Sequence, residues 1–394
     1  MCSDHLYQYK PYHYSYEYDY VFTGAGLAGL SLIMRMLKSG YFDNNSFLLV
    51  DRDWGRKENR NWCFRERSAG FFEELVCRRW NNGWFHAPGF SKQFDLEPYQ
   101  YKLIRSRDFY RYCFDYMKTR ENVRLLQEPV ASLFNRKYTA GLVLDNGTKY
   151  HATTRLFNSI NTEPDRQGPA PFCWQYFEGR VIETPGEVFD PGACTLMDFR
   201  MQPAAGSGFV YTMPLNPKQA LLTAMVFPAN TLAAEPACTR YLESYIEQVL
   251  NIAQYQVLEI EKGRMPLGVS RPGPELLSQG SFTDVQINIG GGGSFSFAQQ
   301  YSEGWLASLQ HRQRPALLPR KPRRFYFYDR MMLQLLHRQS VSVAEGYRQL
   351  FAANPIDRLF RFWDHQSGYL EEMQLFSGLP GLPFLKASIS ATFA

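Results

Sequence analysis

A glycine-rich turn between a predicted strand and a predicted helix sets the strongest limit on the fold of this chain. An apolar run at 18–22 predicts the strand, and apolar residues at helical spacing over 30–37 predict the helix. In such a turn the first glycine permits the tight bend, the second lets a pyrophosphate approach, and the third lets the helix lie close to the strand. The turn has the spacing G-x-G-x-x-G and consists of Gly24, Ala25, Gly26, Leu27, Ala28 and Gly29.

A carboxylate follows the turn at the spacing that dinucleotide-binding units use. A second strand is predicted at 47–50 and ends at Asp51, 22 residues after Gly29, and Arg52 comes next. A carboxylate here can hydrogen-bond the adenosine ribose, while the helix N-terminus faces the phosphates. Glycine-rich turns also begin ordinary strand–helix units, but here the strands, turn, helix and acid occur together. The sequence therefore predicts an ADP-binding site, and FAD and NAD both remain open.

Composition and motif content exclude several classes of function. The net charge is only +5, and basic residues are scattered until two short runs at 312–314 and 320–324, so nucleic acid is a poor candidate partner. The seven cysteines form no C-x-x-C pair and are typical of reduced cytosolic thiols, and the seven histidines show no metal-binding spacing. We expect neither a metal nor a nucleic-acid partner.

No segment predicts a secretion signal or a membrane-spanning helix. The first 17 residues are polar and rich in tyrosine, and no apolar run reaches the ~20 residues that a spanning helix needs. The apolar end of the chain, 375–394, fits either a surface that touches lipid or a helix packed on the body. We expect a cytoplasmic protein that is peripherally associated with the inner face of the membrane.

Further elements follow from periodicity and turn signals. Helical spacing predicts helices at 71–80, 238–252 and 325–362. A turn signal at 145–147 between apolar runs predicts a hairpin, and strand-like runs over 172–227 predict a largely antiparallel sheet. This sheet would form a second domain on the substrate side.

A second glycine-rich segment follows a predicted strand at 285–289. It contains Gly290, Gly291 and Gly292. A strand that ends in glycines before a helix can cradle the phosphate and ribityl chain of a flavin, and it can equally be a flexible hinge. The first glycine motif favours the cofactor interpretation, so we include these glycines in the candidate cofactor site.

Motifs along nearly the whole chain carry a family resemblance. They are the glycine turn preceded by Y-D-Y, N-R-N-W-C-F at 59–64, Q-Y-F-E-G at 175–179, M-D-F-R at 197–200, F-V-Y-T-M-P-L at 209–215 and E-K-G-R-M-P-L at 261–267. In these motifs the chain resembles the lycopene β-cyclase family, carotenoid-pathway flavoproteins of many bacteria.

The resemblance implies a fold class. We expect an α/β protein with a Rossmann-type FAD-binding domain, an antiparallel-sheet substrate domain like that of p-hydroxybenzoate hydroxylase, and a helical C-terminal part. The expected divisions are an N-terminal tail at 1–17, an FAD-binding domain at 18–90, 120–170 and 280–320, a substrate domain at 91–119 and 171–279, and a C-terminal helical region at 321–394.

The resemblance also implies an activity and its cofactors. Family members cyclise the ψ-ends of lycopene without net redox change, so we expect lycopene or a related carotenoid as substrate, reduced FAD as cofactor and NADPH as reductant of the flavin. Cyclisation needs a proton delivered to an alkene, attack on the resulting tertiary carbocation by a neighbouring double bond, and loss of a ring proton. A buried carboxylic acid kept protonated by desolvation suits this task.

The sequence departs from the family where that acid is expected. After F-V-Y-x-x-P-L the family has a glutamate in the next strand, and alignment puts Thr223 at its position. A threonine hydroxyl cannot protonate an alkene. The second glycine segment lacks the lysine of the family, and Arg65 stands where a tryptophan usually follows W-C-F. These changes are compatible with a paralogue of altered activity.

Three other carboxyl groups are candidates for the acid. Asp198, in the M-D-F-R motif, is the first choice, and its alternative interpretation is a structural partner for Arg200. Glu261 is the second, and it could instead cap a strand or pair with Arg264. Glu303 is the weakest candidate.

Three hypotheses about function follow. The leading one is a lycopene-cyclase-like flavoprotein that acts on a carotenoid. The second is an FAD-dependent isoprenoid reductase or monooxygenase on the same scaffold, and the third is a catalytically degenerate carotenoid-binding paralogue. Flavin content separates the two enzymes from the binding protein, and dependence on reduced flavin without consumption of nicotinamide separates a cyclase from a reductase.

Overall fold

The fold is described from a computed structural model of the chain. The description covers residues 15–54, 60–136, 139–160, 172–204, 206–228, 234–268, 286–288, 295–311, 322–338 and 343–379. The second glycine segment, with Gly290, Gly291 and Gly292, lies outside the described residues, and so does the chain end at 380–394. The last three residues of the expected tail at 1–17 belong to the first strand, which begins at Ser15.

The strands are distributed over three sheets. In chain order they are β1 Ser15–Thr23, β2 Phe47–Asp51, β3 Asn61–Glu66, β4 Arg78–Trp80, β5 Asn82–Ala87, β6 Phe90–Asp95, β7 Gln100–Arg105, β8 Val123–Gln127, β9 Val130–Arg136, β10 Thr139–Leu144, β11 Lys149–Asn158, β12 Phe172–Glu183, β13 Ala193–Asp198, β14 Ser207–Asn216, β15 Gln219–Phe227, β16 Gln256–Gly268 and β17 Gln286–Asn288.

The helices lie mostly in the first and last parts of the chain. They are α1 Leu27–Lys38, α2 Ser106–Lys118, α3 Ala234–Gln248, α4 Phe295–His311, α5 Arg323–Arg338, α6 Val343–Ala353, α7 Ile356–Trp363 and α8 Tyr369–Phe376. None of these described helices combines the length and the apolar character that crossing a bilayer requires.

The first sheet contains the predicted strand–turn–helix unit. Its order is β8-β2-β1-β11-β10-β9, and β17 also pairs with β11. Strands β8, β2, β1, β11 and β17 run parallel, whereas β9, β10 and β11 form an antiparallel meander. The predicted hairpin at 145–147 is therefore confirmed. Both faces of the parallel part are covered, because Phe22 packs with α1, α2 and α4 while Val21 packs with residues of the meander.

The second sheet has the order β16-β12-β15-β14-β13-β5-β6 and is antiparallel except where β13 pairs with β5. This confirms the antiparallel sheet predicted from 172–227. Its two faces pack against different partners. Along β15, Leu222 and Ala224 contact the cluster around α3, whereas Leu221 contacts the cluster that contains α6, α7 and α8. Alternation along the strand thus separates a face toward α3 from a face toward the C-terminal helices.

The third sheet has the order β3-β7-β4. Its strand β4 lies in the segment 71–80, where helical spacing predicts a helix. Only Glu73–Leu75 is helical, as one 3₁₀ turn, and β4 then pairs with β7. The side chain of Lys102 on β7 is 1% exposed, and its ammonium lies 2.7 Å from the Glu73 carboxylate. The prediction of a helix was wrong because strand pairing and this buried ion pair outweigh the local helical spacing.

The described strands pass from the first sheet to the second and back twice, with β5 and β6 and then β12 to β16 in the second sheet. The expected boundary after residue 90 falls at the start of β6, which pairs with β5 in the second sheet. Helix α2, from the segment 91–119 expected in the substrate domain, packs instead with α1 through Phe109, Cys113 and Met117. The helical region predicted at 325–362 is divided into α5, α6 and α7, and the ring of Phe351 on α6 stacks at 4.1 Å on Phe85 of the second sheet.

Candidate functional site

The glycine-rich turn depends on a close contact with the end of β11. Gly24 has a φ of +90°, and a Cβ atom at this residue would lie 2.2 Å from Oγ of Ser159. The same Oγ lies 2.9 Å from the carbonyl oxygen of Thr23 and 3.0 Å from that of Gly24. Gly24 is therefore needed both for its backbone conformation and for the space that Ser159 occupies.

The N-terminus of α1 is open to an anion. Gly26 precedes the helix, no side-chain capping hydrogen bond is formed there within the described part of the chain, and the first turn contains no acidic residue. A Cβ atom at Gly26 would meet nothing within 4 Å, whereas Ala25 and Gly29 are buried. Free backbone donors, the positive end of the helix dipole and open space together suit a phosphate group.

Asp51 lies beside this turn. It is 7% exposed, and its Oδ2 accepts a hydrogen bond of 2.6 Å from the backbone N–H of Ala25, while Oδ1 accepts one of 3.1 Å from that of Asp53. Parallel pairing of β1 with β2 brings the acid and the turn to the same sheet edge. Arg52 follows with an exposed side chain. These residues fit the adenosine end of a dinucleotide cofactor.

Thr223 and Glu261 lie in one row across the second sheet. Thr223 on β15 is opposite Gly179 on β12, and Gly179 is opposite Glu261 on β16. Opposed residues of adjacent strands point to the same face. We call Thr223, Gly179 and Glu261 the cross-strand row. Because Leu222 and Ala224 face α3, the row lies on the opposite face, toward the C-terminal helices.

Gly179 provides the space for the Glu261 side chain. A Cβ atom at Gly179 would lie 2.6 Å from both Cγ and Oε1 of Glu261. The other carboxylate oxygen, Oε2, accepts hydrogen bonds of 2.8 Å from the backbone N–H and 3.3 Å from the side-chain amide of Asn61. Burial raises the pKa of Glu261 to about 7, although the bonds from Asn61 lower it. The group can therefore hold a proton near neutral pH.

Asp198 lies on the opposite face of the same sheet. It is fully buried opposite Val210, which packs in the cluster around α3. Its carboxylate accepts bonds of 2.5 Å and 3.0 Å from the Arg200 guanidinium and one of 2.7 Å from the hydroxyl of Tyr245 on α3. The structural partnership with Arg200, which the sequence left open, is thus present. Glu303 is exposed on α4, so neither group joins the cross-strand row.

Arg65 stands where the family has a tryptophan, and its guanidinium contacts the C-terminal helices. Its guanidinium pairs with Asp364 and lies 5.0 Å and 5.8 Å from the ring centres of Phe360 and Trp363. The alternative partner of Glu261, Arg264, stacks at 4.4 Å on Trp174 instead. Among the described residues, no group of three or more His, Cys, Asp and Glu side chains is placed to hold a metal ion.

Sequence reasoning missed three residues that shape these sites. Ser159, Gly179 and Asn61 each contribute through a contact between residues far apart in the sequence. Their only sequence signal is membership of family-like motifs, since Gly179 ends Q-Y-F-E-G and Asn61 lies in N-R-N-W-C-F.

The fold and the glycine turn define a Rossmann-type flavoprotein fold, which confirms the predicted fold class. The structure is similar to a geranylgeranyl bacteriochlorophyll reductase-like protein from Thermoplasma acidophilum, with a TM-score of 0.54 and 11% identity over 95% of this chain and 96% of that one. It is also similar to HpxO of Klebsiella pneumoniae complexed with FAD, with a TM-score of 0.58 and 13% identity over 91% and 100% of the two chains. The flavin-dependent monooxygenase PieE, in complex with FAD and substrate, gives a TM-score of 0.57 and 13% identity over 96% and 72%.

Sequence comparison then identifies the family. The family model described as lycopene cyclase protein matches residues 19–389. The chain therefore belongs to the lycopene cyclase family, and the resemblance read from the motifs is confirmed. A comparison with curated proteins found no match.

Replacing Gly24 with alanine tests the turn. The added Cβ overlaps Ser159 at a residue with positive φ, so we expect the free energy of unfolding to fall by about 2 kcal/mol or more. Gly40→Ala is the matched control, because Gly40 has a φ of +70° but open space around the added Cβ, and we expect a loss of about 1 kcal/mol. Urea unfolding measures both variants, and equal losses would contradict the steric role of Ser159.

Glu261 also couples stability to pH. Its pKa is about 7 in the folded protein and about 4.3 in an unfolded chain, so the folded state holds a proton that the unfolded state releases. Its contribution to stability is therefore lost as the pH rises from about 4.3 to 7. We expect the difference in free energy of unfolding between Glu261→Gln and wild type to change in favour of the variant by roughly 2–3 kcal/mol as the pH rises from about 5 to about 8. Urea unfolding at each pH measures this difference.

The variant Asn61→Ala provides the complementary control. The side-chain amide of Asn61 lowers the pKa of Glu261. In Asn61→Ala the stability loss should therefore have its midpoint at a higher pH than in wild type. A Glu261→Gln difference that does not change with pH would refute a protonated carboxyl at this position.

Proposed function

We propose that this chain catalyses the non-redox, acid-initiated cyclisation of the ψ-ends of lycopene or a related carotenoid, with Glu261 as the proton donor. The cross-strand row carries the proposal. Glu261 is a buried carboxyl with a pKa of about 7, and it shares a sheet face with Thr223, the position of the family glutamate. Two strand spacings separate the positions, roughly 10 Å. In this chain the acid would thus lie at the opposite end of the cross-strand row from the family position.

The two oxygens of Glu261 would have separate tasks. Oε2 accepts both bonds from Asn61, which leaves Oε1, the oxygen beside Gly179, to carry the proton. Transfer of that proton to a terminal alkene leaves a tertiary carbocation, which the neighbouring double bond attacks to close the ring. Loss of a ring proton to the Glu261 carboxylate forms the new double bond and regenerates the acid. No electrons are gained or lost overall.

Asp198 is less suited to this role than the sequence suggested. Both of its oxygens are bonded to Arg200, and Tyr245 donates a further hydrogen bond. Its side chain is directed toward α3 and away from Thr223. We therefore assign the acid to Glu261 and a structural role to Asp198.

We propose FAD as the cofactor. The open space at Gly26, the free N-terminus of α1 and the carboxylate of Asp51 support binding of an ADP group, and Gly24 through Gly29 with Arg52 would surround it. In its reduced form a flavin supplies negative charge that stabilises a nearby carbocation, and NADPH would serve only to keep it reduced. The chain's own contribution is to bind the ADP end and to hold the proton on Glu261.

We propose that the protein works in the cytoplasm at the inner face of the membrane, where carotenes dissolve. Helix α8 exposes Tyr369, Leu370 and Met373 by 70%, 77% and 70%. Such an apolar helical face supports contact with lipid. The cysteines among the described residues are all free, which agrees with a reducing compartment.

Turnover of lycopene tests the proposal. The purified protein is incubated anaerobically with lycopene in liposomes, FAD and a catalytic amount of NADPH, and the pigments are separated by chromatography. We expect γ- or β-carotene from the wild type and a loss of 100-fold or more in Glu261→Gln, because general acid catalysis typically contributes about 10²–10⁴-fold.

A double variant sharpens this test. Thr223→Glu restores an acid at the family position, so adding it to Glu261→Gln should recover part of the activity. Unchanged lycopene with flavin bound would refute lycopene as the substrate, and stoichiometric consumption of NADPH would indicate an isoprenoid reductase or monooxygenase. Unchanged lycopene that binds without turnover would indicate a carotenoid-binding protein.

Flavin retention tests the cofactor site. We expect Gly26→Trp to purify without flavin, because the indole would fill the space above the N-terminus of α1. Gly186→Trp is the matched control, since a Cβ at Gly186 also meets nothing within 4 Å but lies far from the turn in sequence, in the segment that follows β12. Absorbance of the purified proteins at flavin wavelengths gives the occupancy. A Gly26→Trp protein with full flavin content would refute the proposed cofactor site.

A further inference from the structure

A partly buried tryptophan lies in the loop that follows Asp51. Trp54 comes three residues after the acid and packs against the core that α1 and α2 share. The backbone N–H of Asp53 donates to Oδ1 of Asp51 at 3.1 Å. An aspartate that accepts a bond from the residue two positions later folds the chain into a turn. The loop therefore turns at the Asp51 carboxylate, and Trp54 lies just beyond it.

Helix α2 supports this tryptophan. The indole of Trp54 meets the ring of Phe114 edge to face, with the ring centres 4.9 Å apart and the planes at 68°. Phe114 in turn stacks on Tyr110, one turn earlier in α2, with the ring centres 6.5 Å apart. Phe114 thus fixes the position of the indole. An edge-to-face contact in either orientation leaves at least one face of the indole uncovered by Phe114.

The other end of this aromatic row returns to Asp51. Tyr110 is 6% exposed. Burial raises the pKa of its hydroxyl most, and Asp51 adds a smaller increase, so the phenol and the carboxylate lie near each other. Trp54, Phe114 and Tyr110 therefore lie together with Asp51 at one corner of the first sheet. We call these three side chains the aromatic corner.

The position of the aromatic corner relative to Asp51 indicates what it contacts. A carboxylate at the end of the second strand hydrogen-bonds the adenosine ribose, which carries the base at one end and the phosphates at the other. The glycine turn lies on the phosphate side, where the N–H of Ala25 donates to Asp51 at 2.6 Å. The base is therefore expected on the other side of Asp51, where the loop carries Trp54.

We propose that Trp54, held in place by Phe114, is the platform on which the adenine ring of the cofactor stacks. Every nucleobase has a flat π-face, and stacking on an aromatic side chain holds such a ring without reading its edges. The inference rests on the proposed function only through the ADP group of the cofactor, and not on the reaction catalysed. It makes Trp54 a determinant of the preference for FAD over FMN, which has no adenosine.

Retention of flavin by the loaded protein tests the platform. The FAD-loaded protein is diluted, and the flavin fluorescence that appears on release gives the dissociation constant; FMN is measured in the same way. We expect Trp54→Ala to weaken FAD binding roughly 5–150-fold, the range that base–aromatic stacking contributes, and to leave FMN binding unchanged. The affinity for ADP, measured by its competition with FAD, should fall by the same factor as that for FAD.

Conservative variants separate stacking from packing. Trp54→Phe keeps an aromatic face and should bind FAD within about 3-fold of wild type, whereas Trp54→Leu keeps apolar volume without that face and should lose nearly as much as Trp54→Ala. Trp84→Ala is the matched control, because Trp84 is also partly buried but lies on β5 of the second sheet, stacked on His86. Circular dichroism confirms that each variant is folded.

Three results would overturn the inference. The first is an unchanged FAD affinity in Trp54→Ala, and the second is an equal loss for FAD and FMN, which would mean that Trp54 only supports the fold around the site. The third is a Trp54→Leu protein that binds FAD as tightly as Trp54→Phe does, which would assign Trp54 a packing role. Failure of the proposed cofactor site gives a different result, because the wild type would then bind neither FAD nor ADP, and the platform would be refuted with it.

Discussion

The lateral register of β15, β12 and β16 is the constraint on which the candidate acid depends. It places Thr223, Gly179 and Glu261 side by side, and a Cβ on the middle strand would lie 2.6 Å from the Glu261 side chain. A slip by one residue would turn Glu261 to the opposite face. The glycine and the register together bury a carboxyl to which no cation of the described residues is bonded, and Asn61 orients one of its oxygens.

The second sheet shows how differently two buried carboxyl groups behave. Asp198 is completely buried, but Arg200 and Tyr245 bond both of its oxygens and hold it as a structural ion pair. The donors to Glu261 among the described residues are the backbone and side-chain amides of Asn61, and burial is the largest influence on its pKa. The chemical character of each group follows from the partners supplied by its own face, and the two faces are only a sheet thickness apart.

Two departures from the family, Thr223 and Arg65, lie within the described residues. Thr223 stands where the resemblance expects an acid, and Arg65 has a guanidinium in place of an aromatic ring, which stacks on Phe360 and pairs with Asp364. The scaffold around them remains that of the reductases and monooxygenases with which it shares its fold. Because one fold serves many reactions, the fold by itself does not decide which reaction this chain catalyses.

Sequence patterns alone predict the strand–turn–helix unit, the hairpin at 145–147, the antiparallel sheet and the family. Each of these depends on neighbouring residues or on motifs that can be read locally. The same patterns predicted a helix at 71–80 where the buried Lys102 and strand pairing produce a strand, and they ranked Asp198 above Glu261. Only the tertiary structure placed these two carboxyls on opposite faces and brought Asn61 to Glu261 across a separation of 200 residues. A local sequence pattern does not predict such contacts between distant residues. The desolvation and the hydrogen bonds that set the protonation of a buried acid come from those contacts.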